Sequence, residues 1–533
     1  MKTYIKIISC FCMALLLCIS CSKSFLDEDS RSNYTPEALT NALGFEASLV
    51  GLYNHLSNWY SKSDRQGWVS VWQSGTDIVW PTQPEGIEVP YYEYDLLTAD
   101  DAAAYFTWRW AYQMINNANI IIANIENPEL EITGMTEEDK DKVNAEARFF
   151  RALAYNILAT CYGGVPLTTE PLSEPKTDYV RASLGEVNTL IEEDLLYAVN
   201  NLPEVGEAPA EARANKYVAA QLLAVAYLRM DQPAKAEEQC DFIIDSEKYS
   251  LITSRYGVNA SGAGDPFSDM FIYGNQRRSQ GNTEAIWVLE AENPSDVPGG
   301  MTGNPQQRRV WGGAYHNRKG MLPADSLGGR GLSRMRLNNW VLYDLYEDGD
   351  MRNSQHNIRR EFWYNDPQDE NYGQKVAYQG PDTLFIINPY TMKWRHFDPR
   401  DTFGFGMWKD FILMRLGETY LLRAEAQLMQ GKTAEAALSV NAIRKRANTS
   451  EVSAGDIDMD FILDERVREL IGEENRRMTL MRTGTLVERA ALNTGAPTGM
   501  QIRGLTPTHL LLPIPLREIQ LNKDATLEQN PGY

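Results

Sequence analysis

Between residues 141 and 162 the apolar side chains Val143, Ala147, Phe150, Ala154, Ile157 and Cys161 recur at spacings of four and three, the period of a helix stripe. Phe149, Leu153 and Leu158 occupy a neighbouring face, so the predicted helix has packing partners on more than one side. Gly163-Gly164 ends it, and Pro166 keeps the next segment extended. The same period predicts a helix from Pro36 to His55, with Leu39, Leu43, Ala47, Val50 and Tyr53 as its stripe. Another covers 102–126 and carries Tyr105, Trp108, Tyr112, Ile115, Ala118 and Ile122 on one side. Two later pairs, 211–230 with 234–245 and 413–430 with 433–447, share one pattern. Ala224-Val-Ala-Tyr-Leu228 and Ala234-Lys-Ala236 match Ala424-Glu-Ala-Gln-Leu428 and Ala434-Glu-Ala436 at an offset of 200 residues. Small residues at matched places let helix backbones approach closely, as in stacked tetratricopeptide-like hairpins. With 102–126 against 141–162, and the segment 183–199, the chain holds three or four such units, interrupted rather than tandem.

The periodicity fails between about residues 250 and 410. Gly262–Gly264 and Pro298–Gly331 are too rich in Gly and Pro for long helices, and only Thr283–Glu290 and Thr383–Ile387 read as strands. Aromatic residues cluster in irregular stretches. Trp59, Trp68, Trp72, Trp80, Tyr91, Tyr92 and Tyr94 alternate with Gly67, Gly75, Pro81, Pro84 and Gly86. Trp311, Tyr315, Trp363, Tyr364 and Trp394 form a second set. Loops bearing rings are where a scaffold meets ligand, although the same rings serve equally well to close over a helix layer. Asp348-Gly-Asp350 lacks the further oxygen ligands of a Ca²⁺ loop and reads as a turn near a helix end.

Composition narrows the function classes. The 533 residues carry a formal charge of −21, which argues against gripping nucleic acid or an anionic bilayer. Twelve Trp and 27 Tyr stand beside only five His, and His55, His316, His356, His396 and His509 are too scattered for a metal site. No nucleophile elbow, Walker loop or dinucleotide fingerprint occurs. Lys2 and Lys6 precede the apolar run Ile7–Ile19, too short for a bilayer span and suited to a signal peptide. It ends in Leu17-Cys18-Ile19-Ser20-Cys21, which resembles a lipobox with Cys18 where Leu is usual. Cleavage before Cys21 and lipidation of its thiol are expected; an ordinary secretory signal is the other reading. The internal Cys161 and Cys240 lie in apolar helical contexts and read as small buried hydrophobes. The expected layout is a signal over 1–20, a lipidated N-terminus and tether over 21–34, a helical part over 35–249, and a loop-rich region with C-terminal helices over 250–533. The last two pack as one unit. In 462–482, acidic and basic residues mix within one predicted helix, where Glu465 with Arg468 and Glu473 with Arg477 are placed to pair.

The run Glu146-Ala-Arg-Phe-Phe-Arg-Ala-Leu-Ala-Tyr155 through Tyr162-Gly-Gly-Val-Pro-Leu167 resembles the signature of the SusD/RagB family of outer-membrane nutrient-binding lipoproteins. So do Ile412-Leu-Met-Arg-Leu-Gly-Glu-Thr-Tyr-Leu-Leu-Arg-Ala-Glu-Ala426, Asn441-Ala-Ile-Arg-Lys-Arg-Ala447, Ile462-Leu-Asp-Glu-Arg-Val-Arg-Glu-Leu470, Leu512-Pro-Ile-Pro515 and Gln529-Asn-Pro-Gly-Tyr533. Ile471-Gly-Glu-Glu-Asn-Arg-Arg-Met478 departs from the more aromatic ending usual there. The resemblance implies a mainly α fold, about four tetratricopeptide-like helix pairs packed against a loop-rich region with a few short strands. It further implies a non-catalytic protein without a cofactor, lipid-anchored at the outer membrane and facing outward, that captures glycans and passes them to a SusC-like TonB-dependent transporter. Some branches take peptides, and that alternative stays open; a helical glycoside hydrolase is a remote one, needing two carboxylates facing across a cleft. For a glycan, Trp68, Trp72, Trp80 and Trp311 are the stacking candidates, with Asp77, Arg65 and Asn317 as polar contacts. Trp363 with Tyr364 comes next.

Overall fold

The computed structural model describes residues 39–61, 67–301, 303–377 and 384–533. Helix α1 spans Ala42–Tyr60, and the Asn41 side chain accepts from the Gly44 N–H at 3.0 Å to cap it. The expected start at Pro36 lies outside the described residues, and only part of the expected stripe faces inward, with Leu39 buried and Tyr53 packed against the core. Leu43 and Val50 are exposed, and the helix buries Phe45, Leu49, Leu52, Leu56 and Trp59 instead. Both stripes are apolar, and the one carrying Phe and Trp removes more surface from water.

Helix α2 (Ala102–Ile125) begins at Asp101, which accepts from the Ala104 N–H at 2.7 Å. Helix α3 (Glu137–Tyr162) opens with a reciprocal cap between Thr136 and Asp139. It is the central helix of the array, touching α1 and α2, the next helix α4 (Leu184–Asn201), and α5 (Lys216–Arg229) beyond it. That explains why apolar residues cover two of its faces: Ala147, Phe150 and Ala154 are buried on one, Phe149 and Leu158 on the other. Gly163 ends it at φ +77°, and Gly164 lies so close to the Ala182 carbonyl that a Cβ would collide with it. Helix α6 (Pro233–Ile244) folds back on α5. Cys161 and Cys240 are buried free thiols, and burial pushes that of Cys161 up to about 12.

The loop-rich part opens with strand β1 (Val79–Trp80), placed between α1 and α2 in the chain, and continues through β2 (Ala285–Leu289), the short helix α7 (Gln307–Trp311), β3 (Arg336–Leu337), β4 (Ile358–Arg359), β5 (Tyr390–Thr391) and β6 (Phe411–Arg415). Among the described residues these strands form three two-stranded antiparallel sheets, β1 with β3, β2 with β6, and β4 with β5. The expected strand at 283–290 is β2. The one at 383–387 is absent over 384–387, where Ile387 packs into a small core with Phe362 and Tyr390. Asp350 ends a turn and caps the single 3₁₀ turn Met351–Asn353, as expected of Asp348-Gly-Asp350.

Helices α8 (Leu416–Met429) and α9 (Thr433–Arg446) form the second copy of the repeated pair, and α8 also packs on α6. The predicted helix over 462–482 is two, α10 (Met459–Leu470) and α11 (Arg476–Arg482), broken at Gly472, whose φ is +82°. Glu465 does pair with Arg468, at 2.8 Å. Glu473 does not reach Arg477; it accepts from Arg415 at 2.7 Å and Lys393 at 2.5 Å. Arg477 instead donates to the carbonyls of Val71, Ser74 and Tyr91 and to the Tyr94 hydroxyl. The break frees these charges to bind distant segments. Glu469, fully buried, accepts from Arg352, Arg415 and Arg446. Beyond α11 the chain returns to the end of α3, where Leu512 N–H donates to the Cys161 carbonyl and Asn530 Nδ2 to that of Tyr162 at 3.1 Å.

Candidate functional site

Two of the sequence-distant loop regions meet. Gln307 donates to the Tyr60 carbonyl at 3.0 Å, Thr82 Oγ1 to Ser333 O at 2.6 Å, and β1 pairs with β3. The four candidate tryptophans are nevertheless interior. Trp68 and Trp72 pack around Trp59, with ring centroids 4.9 and 5.3 Å from it, and Trp68 Nε1 donates to the Trp59 carbonyl. With Trp311 they line a cavity of about 290 Å³ between α3, β6 and α11, walled elsewhere by Trp394 and Glu474. Trp80 lies apart, under the Arg336 guanidinium at 4.8 Å. All four are buried and none presents a ring on the outer surface; Trp68, Trp72 and Trp311 face the cavity instead. Asp77 is also sealed, its carboxylate accepting from Arg476 at 2.9 and 2.5 Å and from Arg489 at 3.0 Å. Those pairs hold it below the usual carboxylate range against the upward push of burial. Asn317 is exposed at the end of a 3₁₀ turn that also carries His316. Arg65 lies outside the described residues.

What surfaces beside Asn317 is a different set of rings. Backbone pairing of 309–312 with 331–335 aligns α7 against the segment before β3: Leu332 N–H donates to Arg309 O at 2.8 Å, and Ser333 N–H to Gly312 O at 2.7 Å. Gly331 sits where a Cβ would strike the Gly312 carbonyl, so the approach requires glycine. The two strands of backbone thereby bring Arg308, Arg309, Arg330 and Arg334 together. Arg308 donates to His396 O at 3.1 Å and Gly404 O at 2.7 Å, and Arg330 to Phe403 O at 2.6 Å. These bonds hold the loop Thr402-Phe-Gly-Phe-Gly406 with its rings outward: Phe403 is 53% exposed and Phe405 54%. Phe405 covers the Arg309 guanidinium at 4.3 Å, and Phe403 faces His316 at 6.1 Å. Tyr273, 58% exposed, abuts His396. Burial first, and then the repulsion of Arg330, Arg334 and Arg308, lowers Arg309 to about 10. His316 falls to about 4 through burial and Arg330. The site is thus neutral in its imidazoles and cationic in its floor.

A second ring, Trp363, is 40% exposed with the Lys375 ammonium 5.8 Å from its centroid; its neighbour Tyr364 is half-buried and accepts from Arg318. Sequence reasoning missed Phe403 and Phe405, although their alternation with Gly404 and Gly406 is the signal read in 59–94. It missed the arginines because they converge only through the Gly312–Gly331 approach. Among the described residues no cluster of His, Cys, Asp and Glu is placed to hold a metal, and no helix is long and apolar enough to cross a membrane.

Residues 336–533 match the profile described as the SusD family, and residues 24–228 one described as starch-binding, associating with outer membrane. The chain belongs to the SusD family. Its SusD relatives include the SusD-like protein P25 of Formosa agariphila, 26% identical over 97% of each chain. The starch-binding protein SusD of Bacteroides thetaiotaomicron is also 26% identical, over 75% of this chain and 74% of that one. The SusD fold recurs in a solved laminarin-binding SusD-like protein, at TM-score 0.70, 23% identity and coverage of 93% and 100%. It recurs again in surface glycan-binding protein A of Bacteroides thetaiotaomicron in complex with laminarihexaose, at TM-score 0.72, 18% identity and coverage of 92% and 100%.

Proposed function

We propose that this SusD-family protein captures an oligosaccharide on the face formed by Phe403, Phe405, Tyr273 and Asn317, performs no chemistry on it, and passes it to a SusC-like TonB-dependent transporter. Lipid on Cys21 holds it at the outer membrane, facing outward. The observation that carries this reading is the Phe403–Phe405 pair, two rings held in the open by arginine bonds to their own loop. Flat apolar faces cover the apolar face of a sugar ring, and neighbouring polar groups such as Asn317 take its hydroxyls. Relatives described as binding starch and laminarin make a glycan the favoured ligand class. Trp68, Trp72 and Trp311, being buried, are read as core rather than as platforms.

Calorimetry against a panel of oligosaccharides and peptide mixtures tests the reading. Phe405→Ala and Phe403→Ala should each weaken binding by about 1–3 kcal/mol, roughly 5- to 150-fold, with helicity unchanged. Wild-type affinity in both variants would place the ligand elsewhere, with Trp363→Ala the next variant. Binding of peptides and of no glycan would overturn the ligand class.

A further inference from the structure

Beneath Phe403 and Phe405, Arg308 and Arg309 are buried and Arg330 is half-buried, whereas most other buried arginines of the fold are paired with acids. Arg352, Arg415, Arg444, Arg446, Arg466 and Arg476 each meet at least one carboxylate within 3.3 Å. Arg477, which meets none, has its donors taken up by three carbonyls and a hydroxyl. Arg308, Arg309 and Arg330 ion-pair with no carboxylate among the described residues, and the Nε of each lacks any hydrogen-bond partner there. Arg309 is only 6% exposed, and its single hydrogen bond is from Nη1 to Gln306 Oε1 at 2.9 Å. Glu85, whose charge acts on Arg309, pairs with Arg334 at 3.1 Å, and Asp401 acts on Arg308 without an ion pair. In a chain of formal charge −21 carboxylates are in surplus, yet among the described residues none pairs with Arg308, Arg309 or Arg330. Burying a cation without a carboxylate is costly even where a ring covers it, as Phe405 covers Arg309, and its donors left unmade add to that cost.

A compensating anion supplied from outside resolves this arrangement. The planar guanidinium fork matches an oxyanion bidentately, and it does so best where water is excluded. Taking as given that this face captures a glycan, we infer that the glycan is anionic. Its sugars carry carboxylate or sulfate-ester groups that Arg309 and Arg330 hold while Phe403 and Phe405 cover the ring plane. The neutral His316 and the Asn317 amide beside them suit the hydroxyls between charged groups.

The test is calorimetry on the mature protein with three matched sets of probes. These are uronate oligosaccharides and their carboxyl-reduced forms, sulfated oligosaccharides and their desulfated forms, and the neutral laminarihexaose. A poly-glutamate peptide serves as a non-sugar anion. One charged set should bind at least about tenfold more tightly than its neutralised form, and which set does so distinguishes carboxylate from sulfate. That affinity should fall as NaCl rises from about 50 to about 500 mM. Arg309→Gln and Arg330→Gln should remove most of the preference for charge, and Arg309→Lys should retain part of it. Should Arg309→Gln fail to fold, the matched probes and the salt series on wild-type protein still decide. Equal binding of charged and neutralised glycans overturns the inference and leaves glycan capture standing. Poly-glutamate binding as tightly as the charged glycans also overturns it. Absence of binding to every glycan overturns both readings.

Discussion

Asp77 lies out of contact with solvent, and both its oxygens accept from guanidinium groups, those of Arg476 and Arg489. Asp77→Ala would leave two donors of the fully buried Arg476 without their acceptor, with Glu474 its one remaining carboxylate at 3.1 Å, and should cost about 3–5 kcal/mol. Urea denaturation reads that loss, and an unchanged midpoint would refute the bracing role. His396 makes the complementary case. Burial, followed by Arg308 and Lys409, lowers it to about 3, and Arg308 Nη1 donates toward its Nδ1 at 3.4 Å. An unfolded histidine takes its proton near 6.5, so as pH falls from there toward 3 the unfolded chain binds a proton that the native one refuses. Stability is therefore present above about pH 6.5 and is lost on acidification. His396→Gln should flatten that slope in denaturant midpoints measured against pH. Single residues were the least legible part of the sequence. Tryptophans among glycines suggest exposed loops as readily as a loop folded inward, and only the mutual packing of Trp59, Trp68 and Trp72 decides between them.

At the scale of elements, periodicity served well where one face dominates. The hairpins α5–α6 and α8–α9 were readable because alanines recur at matched places on both helices. It failed on α1, where two apolar stripes coexist, and at the α10–α11 break, where opposite charges three or four apart invited local pairing. Glu469 shows what those charges do instead: it joins Arg415 at the end of β6, Arg446 at the end of α9, and Arg352 in the loop-rich part. Local spacing carries no information about partners that far away. Glu469→Ala should destabilise by about 3–5 kcal/mol, because three buried guanidinium groups lose a shared acceptor. Glu469→Gln, which keeps an acceptor oxygen, should recover part of that in the same denaturation experiment. Loss below about 1 kcal/mol in both would show that the network is dispensable.

For the whole molecule, the family was legible because its motifs run in order along almost the full chain, whereas the ligand face was assembled from segments near 309, 330 and 404 that no motif marks. Cys21, the proposed site of the lipid anchor, lies outside the described residues. Cys21→Ala should release the protein from the membrane fraction, and the wild-type N-terminus should carry lipid mass; retention of the variant with no lipid on the wild type would refute the anchor. A SusC-like barrel should co-purify after mild detergent extraction, and recovery of a monomer alone under several gentle conditions would count against a stable pair.

The return of residues 512–530 to the end of α3 has a consequence for how the protein comes into being. Asn530 and Tyr162 are separated by 368 positions. Although Arg181 also reaches the Tyr162 carbonyl, that of Cys161 waits for the Leu512 N–H, so the end of the central helix is completed only when nearly the whole sequence is available. Closure over such a distance is slow and gives little reward to partial chains. An early fragment holding α1–α4 would present its two-sided central helix to whatever lay nearby, and aggregation would compete with folding. The safest itinerary for such a chain is to stay unfolded through synthesis and export, and to acquire its shape in one late, collective step.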